Sequence, residues 1–308
     1  MSFATTKHAQ VSVVIPTRHR PGSLRLALES VLAQTHPVRE VVVVIDGPDP
    51  ATESMLHAQG HPRVRKITLP VPVGGSDARN AGVEAAGSEW IAFLDDDDEW
   101  LPTKIERQLA MLPQAEGDPI LSCRFLARTD AGDRVWPDRL PRAAEPLCEY
   151  LLVRHGIGRS DGFVATPTIL TRRSLLRRVP FRSGLKKHQD WDWILRATRE
   201  GARVFFCPEV LAKCEMRTSA STSRSPDWHS SLAWIEENVH LVTRRAYAGF
   251  ITTHVAWQAA AQREWRAFLP LLREAWRNGP PRATDLLRYL GFWVVPAAAR
   301  RRLHCLMS

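Results

Sequence analysis

No run of about 18 or more consecutive apolar residues occurs in this chain of 308 residues, so no membrane-spanning helix is expected. Its first residues, Met1-Ser2-Phe3-Ala4-Thr5-Thr6-Lys7, lack the apolar core and cleavage site of a signal peptide. Cysteine is sparse: Cys123, Cys148, Cys207, Cys214 and Cys305 are odd in number, widely spaced and form no C-x-x-C pair. That argues against zinc and for reduced thiols in a cytoplasmic setting. No internal repeat and no nucleic-acid-binding motif is found. From Pro226 onward lysine is missing, and the segment carries eleven Arg against six acids together with six of the eleven Trp. Such a mixture suits nucleic acid, an anionic membrane surface, an anionic substrate, or simply a helical appendage with a solvated Arg face. With 44% hydrophobic residues and a net charge of +9, the chain can build one large α/β domain plus an appendage.

The opening third alternates between two periodicities. Val11 to Pro16 and Glu40 to Asp46 are β-branched runs apolar on both faces, as interior strands of a parallel sheet are. Between them Leu24, Ala27, Leu28, Val31 and Leu32 recur at helical spacing, which makes a βαβ unit. A strand near Val64 to Leu69, a helix from Asp77 to Ala86 and a strand from Ile91 to Leu94 continue the pattern, as in a nucleotide-binding doubly wound half. Further on, Ile120 to Ala127, Thr168 to Thr171 and Val204 to Pro208 read as strands, and Asp190 to Glu200 as a helix closed by Gly201. Thr218 to Pro226 is a Ser/Thr-rich loop or boundary, and everything beyond it reads as helical.

The acids of Phe93-Leu94-Asp95-Asp96-Asp97-Asp98-Glu99-Trp100 emerge where an apolar strand ends, the edge at which open α/β sheets collect ligands. Adjacent carboxylates repel unless a hard divalent ion or water screens them. A solvated acidic turn is the plain alternative, and a helix opened by Pro102 tips the reading toward a cation site.

Four features stand in a telling order: Val13-Val14-Ile15-Pro16-Thr17, then Asp46-Gly47, then Gly74 to Gly82 leading into Phe93 to Trp100, and His188-Gln189-Asp190-Trp191-Asp192-Trp193. Over roughly residues 10 to 222 this resembles an inverting glycosyltransferase of glycosyltransferase family 2. The resemblance implies a GT-A fold, that is, an α/β open mixed sheet flanked by helices that binds a nucleotide sugar. It divides the chain into a catalytic domain over 1–225, with a donor half at about 10–112 and an acceptor half at about 113–225, and a helical C-terminal extension over 226–308. Asp95-Asp96-Asp97 matches the Asp-x-Asp motif, with Asp97 binding Mn²⁺ or Mg²⁺ and Asp95 facing the ribose, and Asp96 is counted with the donor site. Asp46 matches the acceptor of a hydrogen bond from the pyrimidine base, Pro16 and Thr17 a nucleotide contact, and Arg79 a phosphate or base contact. Asp190 matches the catalytic base.

The chain departs from that pattern at two places. Gln189 stands where the family usually has Glu, and Arg217 near where relatives place a His. An Arg cannot ligate a cation, but its fork of donors can hold a diphosphate oxygen. The expected partners are a nucleotide-sugar donor, with UDP foremost, and a hydroxyl-bearing glycan or lipid-linked acceptor of the cell envelope. Leu286 to Val295 with Arg300-Arg301-Arg302 suits an interfacial helix at the inner face of the membrane, or else packing on the catalytic domain or on a second copy of the chain. A nucleotide-sugar-binding protein with impaired catalysis, serving a glycosylation assembly, is the alternative that Gln189 and Arg217 suggest.

Overall fold

The structure, a computed structural model, describes residues 9–115, 117–154, 162–217 and 227–295. The Ser/Thr-rich stretch from Thr218 to Pro226, the residues up to His8, and the Arg300 to Arg302 run lie outside the described residues. The strands are β1 (Val11–Thr17), β2 (Glu40–Ile45), β3 (Val64–Thr68), β4 (Trp90–Phe93), β5 (Glu99–Trp100), β6 (Pro119–Thr129), β7 (Gly132–Trp136), β8 (Leu170–Arg172) and β9 (Arg203–Glu215). The α-helices are α1 (Pro21–Leu32), α2 (Pro50–Gln59), α3 (Gly75–Ala85), α4 (Lys104–Leu109), α5 (Leu147–Leu152), α6 (Arg173–Arg178), α7 (Gln189–Arg199), α8 (Trp228–Glu237), α9 (Arg244–Phe250), α10 (Ala256–Ala261), α11 (Phe268–Arg277) and α12 (Ala283–Val294). They gather into two units, one of residues 1–136 and 164–217, the other of 137–163 and 218–308.

The first unit is a mixed sheet in the order β3-β2-β1-β4-β8-β6-β9-β5, with β7 paired to β6. Strands β1 to β4 run parallel, and β8 is antiparallel to both β4 and β6. The valines of β1 and β2 are buried on both faces, as their unbroken apolar runs require. Helix α3 lies close to this sheet because residue 82 has no side chain. A Cβ on Gly82 would stand 2.3 Å from Val14 Cγ1 and 3.1 Å from Val44 Cγ2. Real Cβ atoms do not come that near, so the close approach of helix to strand depends on this glycine.

Strand β9 is far longer than the Val204 to Pro208 run suggests. Pro208 removes a ladder donor and marks an irregularity, and β9 itself bulges to absorb it while β6 runs straight on: Cys123 pairs Cys207, but Arg124 pairs Val210 and Phe125 pairs Ala212. Beyond that bulge β9 continues to Glu215 and pairs Glu99 with Lys213 and Trp100 with Ala212 on β5. The result is functional geometry, since the end of β9 is brought beside the acidic turn.

The second unit is helical. Glu149 of α5 accepts from Thr243 Oγ1 at 2.9 Å and pairs with Arg245 Nη1 at 3.0 Å, while Arg288 Nη1 donates to Arg154 O at 3.3 Å. These contacts tie residues 137–154 to α9 and α12. The boundary expected near residue 225 therefore differs from the division observed, in which 137–163 groups with the C-terminal helices. The apolar side chains that α5 buries, Cys148, Tyr150, Leu151 and Leu152, carry no mark in the sequence of which unit they will join. Among the described residues no helix is long and apolar enough to cross a membrane, and Cys123, Cys148, Cys207 and Cys214 are buried free thiols.

Candidate active site

The acidic turn follows β4 directly, and its four side chains alternate. Asp96 and Asp98 are buried, whereas Asp95 and Asp97 keep 30% and 23% of their side chains exposed. Asp96 accepts from Thr17 Oγ1 at 2.7 Å and from Arg20 Nη1 at 3.1 Å. Asp98 accepts from the Glu215 backbone N–H at 2.7 Å, and burial with the nearby Asp95 and Asp97 charges pushes its pKa well above the carboxylate range. Two of the acids thus hold the turn to β1 and β9, and the other two face outward. Asp97 pairs with Arg20 Nη1 at 2.9 Å. Burial, then the charges of Asp95 and Asp96, raise its pKa to about 6.

Arg79 sits on the first turns of α3, nearly buried, and joins the two acidic motifs. Its Nη2 donates to Asp95 Oδ1 at 2.5 Å and its Nη1 to Gln189 Oε1 at 2.8 Å. The guanidinium carbon also lies 5.7 Å from the centre of the Phe181 ring. Gly75 leaves room for the pair: a Cβ there would stand 3.0 Å from Arg79 Nη1 and 3.2 Å from Gln189 Oε1. Arg79 Nε and Ser76 Oγ are buried without a hydrogen-bond partner, so the helix's N-terminal end keeps two unfilled polar groups. A surface salt bridge is not what Arg79 makes.

Asp190 occupies the first turn of α7, directly after Gln189. The cap position belongs to His188, held in the left-handed region at φ 60°, so Asp190 does not cap its helix. Its Oδ1 accepts from the Trp191 N–H at 2.9 Å. Burial raises its pKa to about 6 against the opposing effects of that hydrogen bond and the Arg79 charge. Its neighbour Asp192 is fully buried between Arg182 at 3.0 Å and Arg196 at 2.7 Å. Of the motif's two aspartates, then, one fixes the helix and the other is a half-buried carboxylate with basicity suited to proton transfer near neutral pH.

The matching Glycosyl transferase family 2 model covers residues 12–180, more than half of the chain, from the second residue of β1 through and beyond the acidic turn. The chain belongs to that family. It is 25% identical to the amylovoran biosynthesis glycosyltransferase AmsB of Erwinia amylovora over 78% of its own length and 81% of AmsB. A shorter stretch, 33% of this chain and 40% of the relative, is 30% identical to the Escherichia coli UDP-Glc:alpha-D-GlcNAc-diphosphoundecaprenol beta-1,3-glucosyltransferase WfgD. The fold is that of S. aureus TarS 1-349, solved with UDP-GlcNAc, at a TM-score of 0.64 and 17% identity over 95% of this chain and 92% of that one. The chain is accordingly an inverting glycosyltransferase on a GT-A sheet.

In this glycosyltransferase the remaining expected residues fall as follows. Asp46 accepts from the Val73 N–H at 2.6 Å and the Gly74 N–H at 3.0 Å, so it pins the segment leading into α3. That is a tether across 27 and 28 residues rather than a local turn. Thr17 turns its hydroxyl to Asp96, and its carbonyl accepts from the Asp46 N–H at 2.9 Å, so both groups are already engaged within the fold, while Pro16 has no N–H to offer. Arg217 closes on Glu215, with its Nε at 2.7 Å from Oε1, and so its guanidinium faces a carboxylate of the same strand end.

Arg20 escaped the sequence reading. It is the residue before Pro21, at the cap of α1, and its contacts lie 76 and 77 residues away. The available signal was its place, just past the end of β1, where ligand-edge residues emerge. The loop that carries it is held by Asp49, which caps α2 through Thr52 and accepts from the His19 N–H at 2.7 Å.

Among the described residues no three His, Cys, Asp or Glu side chains converge into an ion cage. Mg²⁺ or Mn²⁺ need not have one, because such ions keep waters and take diphosphate oxygens with only one or two carboxylates from the protein. Asp97 and Asp95, outward-facing carboxylates in an excess of negative charge, fit that donor set.

Proposed function

We propose that this glycosyltransferase takes its sugar from a nucleoside diphosphate, with uracil the expected base, and passes it to a hydroxyl of a cell-envelope or lipid-linked glycan. The observation that carries the reading is Arg79, which ties Asp95 of the acidic turn to Gln189, the residue beside Asp190. One guanidinium thereby joins a donor-side carboxylate to the residue next to the carboxylate that would face the acceptor. Asp97 would hold Mn²⁺ or Mg²⁺, and the bound ion would neutralise charge on the departing diphosphate. Asp190 removes the acceptor hydroxyl's proton as the new bond forms on the face opposite the leaving group. Arg79 and the open N-terminal end of α3 offer donors for phosphate oxygens, and Asp46 orders the loop over which the base would lie. A relative named for a UDP-Glc donor and a diphosphoundecaprenol acceptor, and a fold relative solved with UDP-GlcNAc, support the donor and acceptor classes.

Titration calorimetry with UDP, GDP and ADP sugars, with and without Mn²⁺, tests this. UDP sugars are expected to bind at least tenfold more tightly than the purine donors, and Mn²⁺ to strengthen them further. Equal affinity for all bases would remove the base assignment. Binding without transfer or donor hydrolysis would favour the catalytically impaired partner, and Gln189 is where that reading begins.

We also propose that the enzyme works at the inner face of the membrane. Trp265, Leu269, Leu290 and Val294 are exposed around an open groove of ≈ 400 Å³ in the second unit, with Arg266 at its edge. Apolar side chains beside a cation suit an anionic lipid interface. Sedimentation with phosphatidylglycerol vesicles, but not with neutral phosphatidylcholine vesicles, is the expected result. Recovery entirely in the supernatant with both would overturn it, and a stable dimer in light scattering would assign the groove to a second copy instead.

A further inference from the structure

Three carboxylates, the outward Asp95 and Asp97 and the buried Asp96, are shared between two guanidiniums. Arg79 holds Asp95 and is itself nearly buried between that residue and Gln189. Arg20 is the more exposed of the two. It keeps 37% of its side chain exposed, and one nitrogen, Nη1, lies 3.1 Å from Asp96 and 2.9 Å from Asp97. If Arg20 withdraws, Asp96 still has the Thr17 hydroxyl at 2.7 Å. Asp97 has no second side-chain partner among the described residues.

We propose that Arg20 is a built-in counter-cation that occupies Asp97 in the donor-free enzyme and must be displaced before a divalent ion can bind there. The proposal rests on the reading of Asp97 as the metal carboxylate. Its physical basis is plain: a divalent ion on Asp97 and a guanidinium in contact with the same carboxylate repel one another. Without either cation, neighbouring carboxylates repel as strongly, so the empty site needs a charge in place. The loop geometry allows the exchange. His19 and Asp49 fix the backbone beside residue 20, at an N–H to carboxylate distance of 2.7 Å, while the long Arg20 side chain reaches across from it. Displacement from Asp97 asks for movement of this side chain and not of the tethered backbone beside it.

A direct test is Mn²⁺ binding, followed by the electron paramagnetic resonance signal of the free aquo ion, for wild type, Arg20→Gln, Arg20→Lys and Asp97→Asn, in the absence of nucleotide. Removing the competitor in Arg20→Gln is expected to tighten Mn²⁺ on the order of tenfold, discounted from the bare Coulomb value because the pair is partly exposed. Arg20→Lys, a point charge that cannot hold both carboxylates as the guanidinium does, should fall between. Thermal midpoints measured alongside separate this from a clamp: a merely structural Arg20 would lower the midpoint and leave the Mn²⁺ affinity where it was, or weaken it. That result overturns the proposal, and should Arg20→Gln not fold, wild-type affinity in Arg20→Lys overturns it equally. Binding that survives in Asp97→Asn would remove the metal assignment itself and this inference with it. Binding lost in Asp97→Asn but unchanged in both Arg20 variants leaves the metal assignment standing and removes only the role of Arg20.

Discussion

Asp190→Asn is expected to lower kcat for sugar transfer by about 10³-fold, within the range general-base catalysis supplies, while the affinity for nucleoside diphosphate stays within about threefold of wild type. The substitution is nearly isosteric, and an amide oxygen can still accept from the Trp191 N–H, so the first turn of α7 keeps its geometry. Only the ability to take a proton is lost. Stability should not suffer. An aspartate in the unfolded chain ionises near 4 and Asp190 near 6, so stability is greatest below the lower value and declines as pH rises through the upper one. Above pH 6 ionising this half-buried carboxylate therefore costs at most on the order of 2 kcal/mol after discounting for its exposure, and the amide removes that cost. The thermal midpoint of Asp190→Asn at pH 7 should equal or exceed that of wild type. In the wild-type enzyme, kcat/KM should fall at least tenfold per pH unit below about 6, the region in which Asp190 and Asp97 become protonated. A variant that retains more than a tenth of wild-type turnover would show that another group takes the proton.

Asp190 was legible because the motif around it is contiguous, and so was the parallel half of the sheet, where Val11 to Ile15 and Val41 to Ile45 are apolar on both faces and buried on both. The acidic run announced a site, but not which acids face outward. That alternation depends on partners distant in sequence: Thr17 and Arg20 for Asp96, and the Glu215 N–H for Asp98. The last of these needs β9 to run past Pro208, and a proline inside a strand reads as its end until the bulge that carries it is seen. Arg79 and Gln189 were each noted singly, yet their contact, 110 residues apart, is what makes one site of two motifs. Long-range ion pairs leave no periodicity for a sequence to display.

Asp97→Asn is the second change with a large expected effect, and its consequences should divide differently from those at Asp190. The substitution removes a charge from the outward face of the turn while Asp96 and Asp98 continue to hold the turn to β1 and β9. The fold should therefore persist, and with one carboxylate fewer beside Asp95 and Asp96 the thermal midpoint should not fall. The ion-dependent part of donor affinity is what goes. Calorimetry should show UDP binding with little or no response to Mn²⁺, and kcat/KM should drop by about 10²- to 10³-fold, as befits loss of electrostatic stabilisation at a leaving group. Asp96→Asn is the informative comparison. It alters a buried acceptor of Thr17 and Arg20, so it should disturb stability more and the Mn²⁺ response less. If instead Asp96→Asn abolishes the Mn²⁺ response and Asp97→Asn preserves it, the register of the motif is wrong by one residue. The outward exposure of Asp95 and Asp97 is the physical reason to expect the opposite, because a cation that takes diphosphate oxygens must be reached from the open side of the turn.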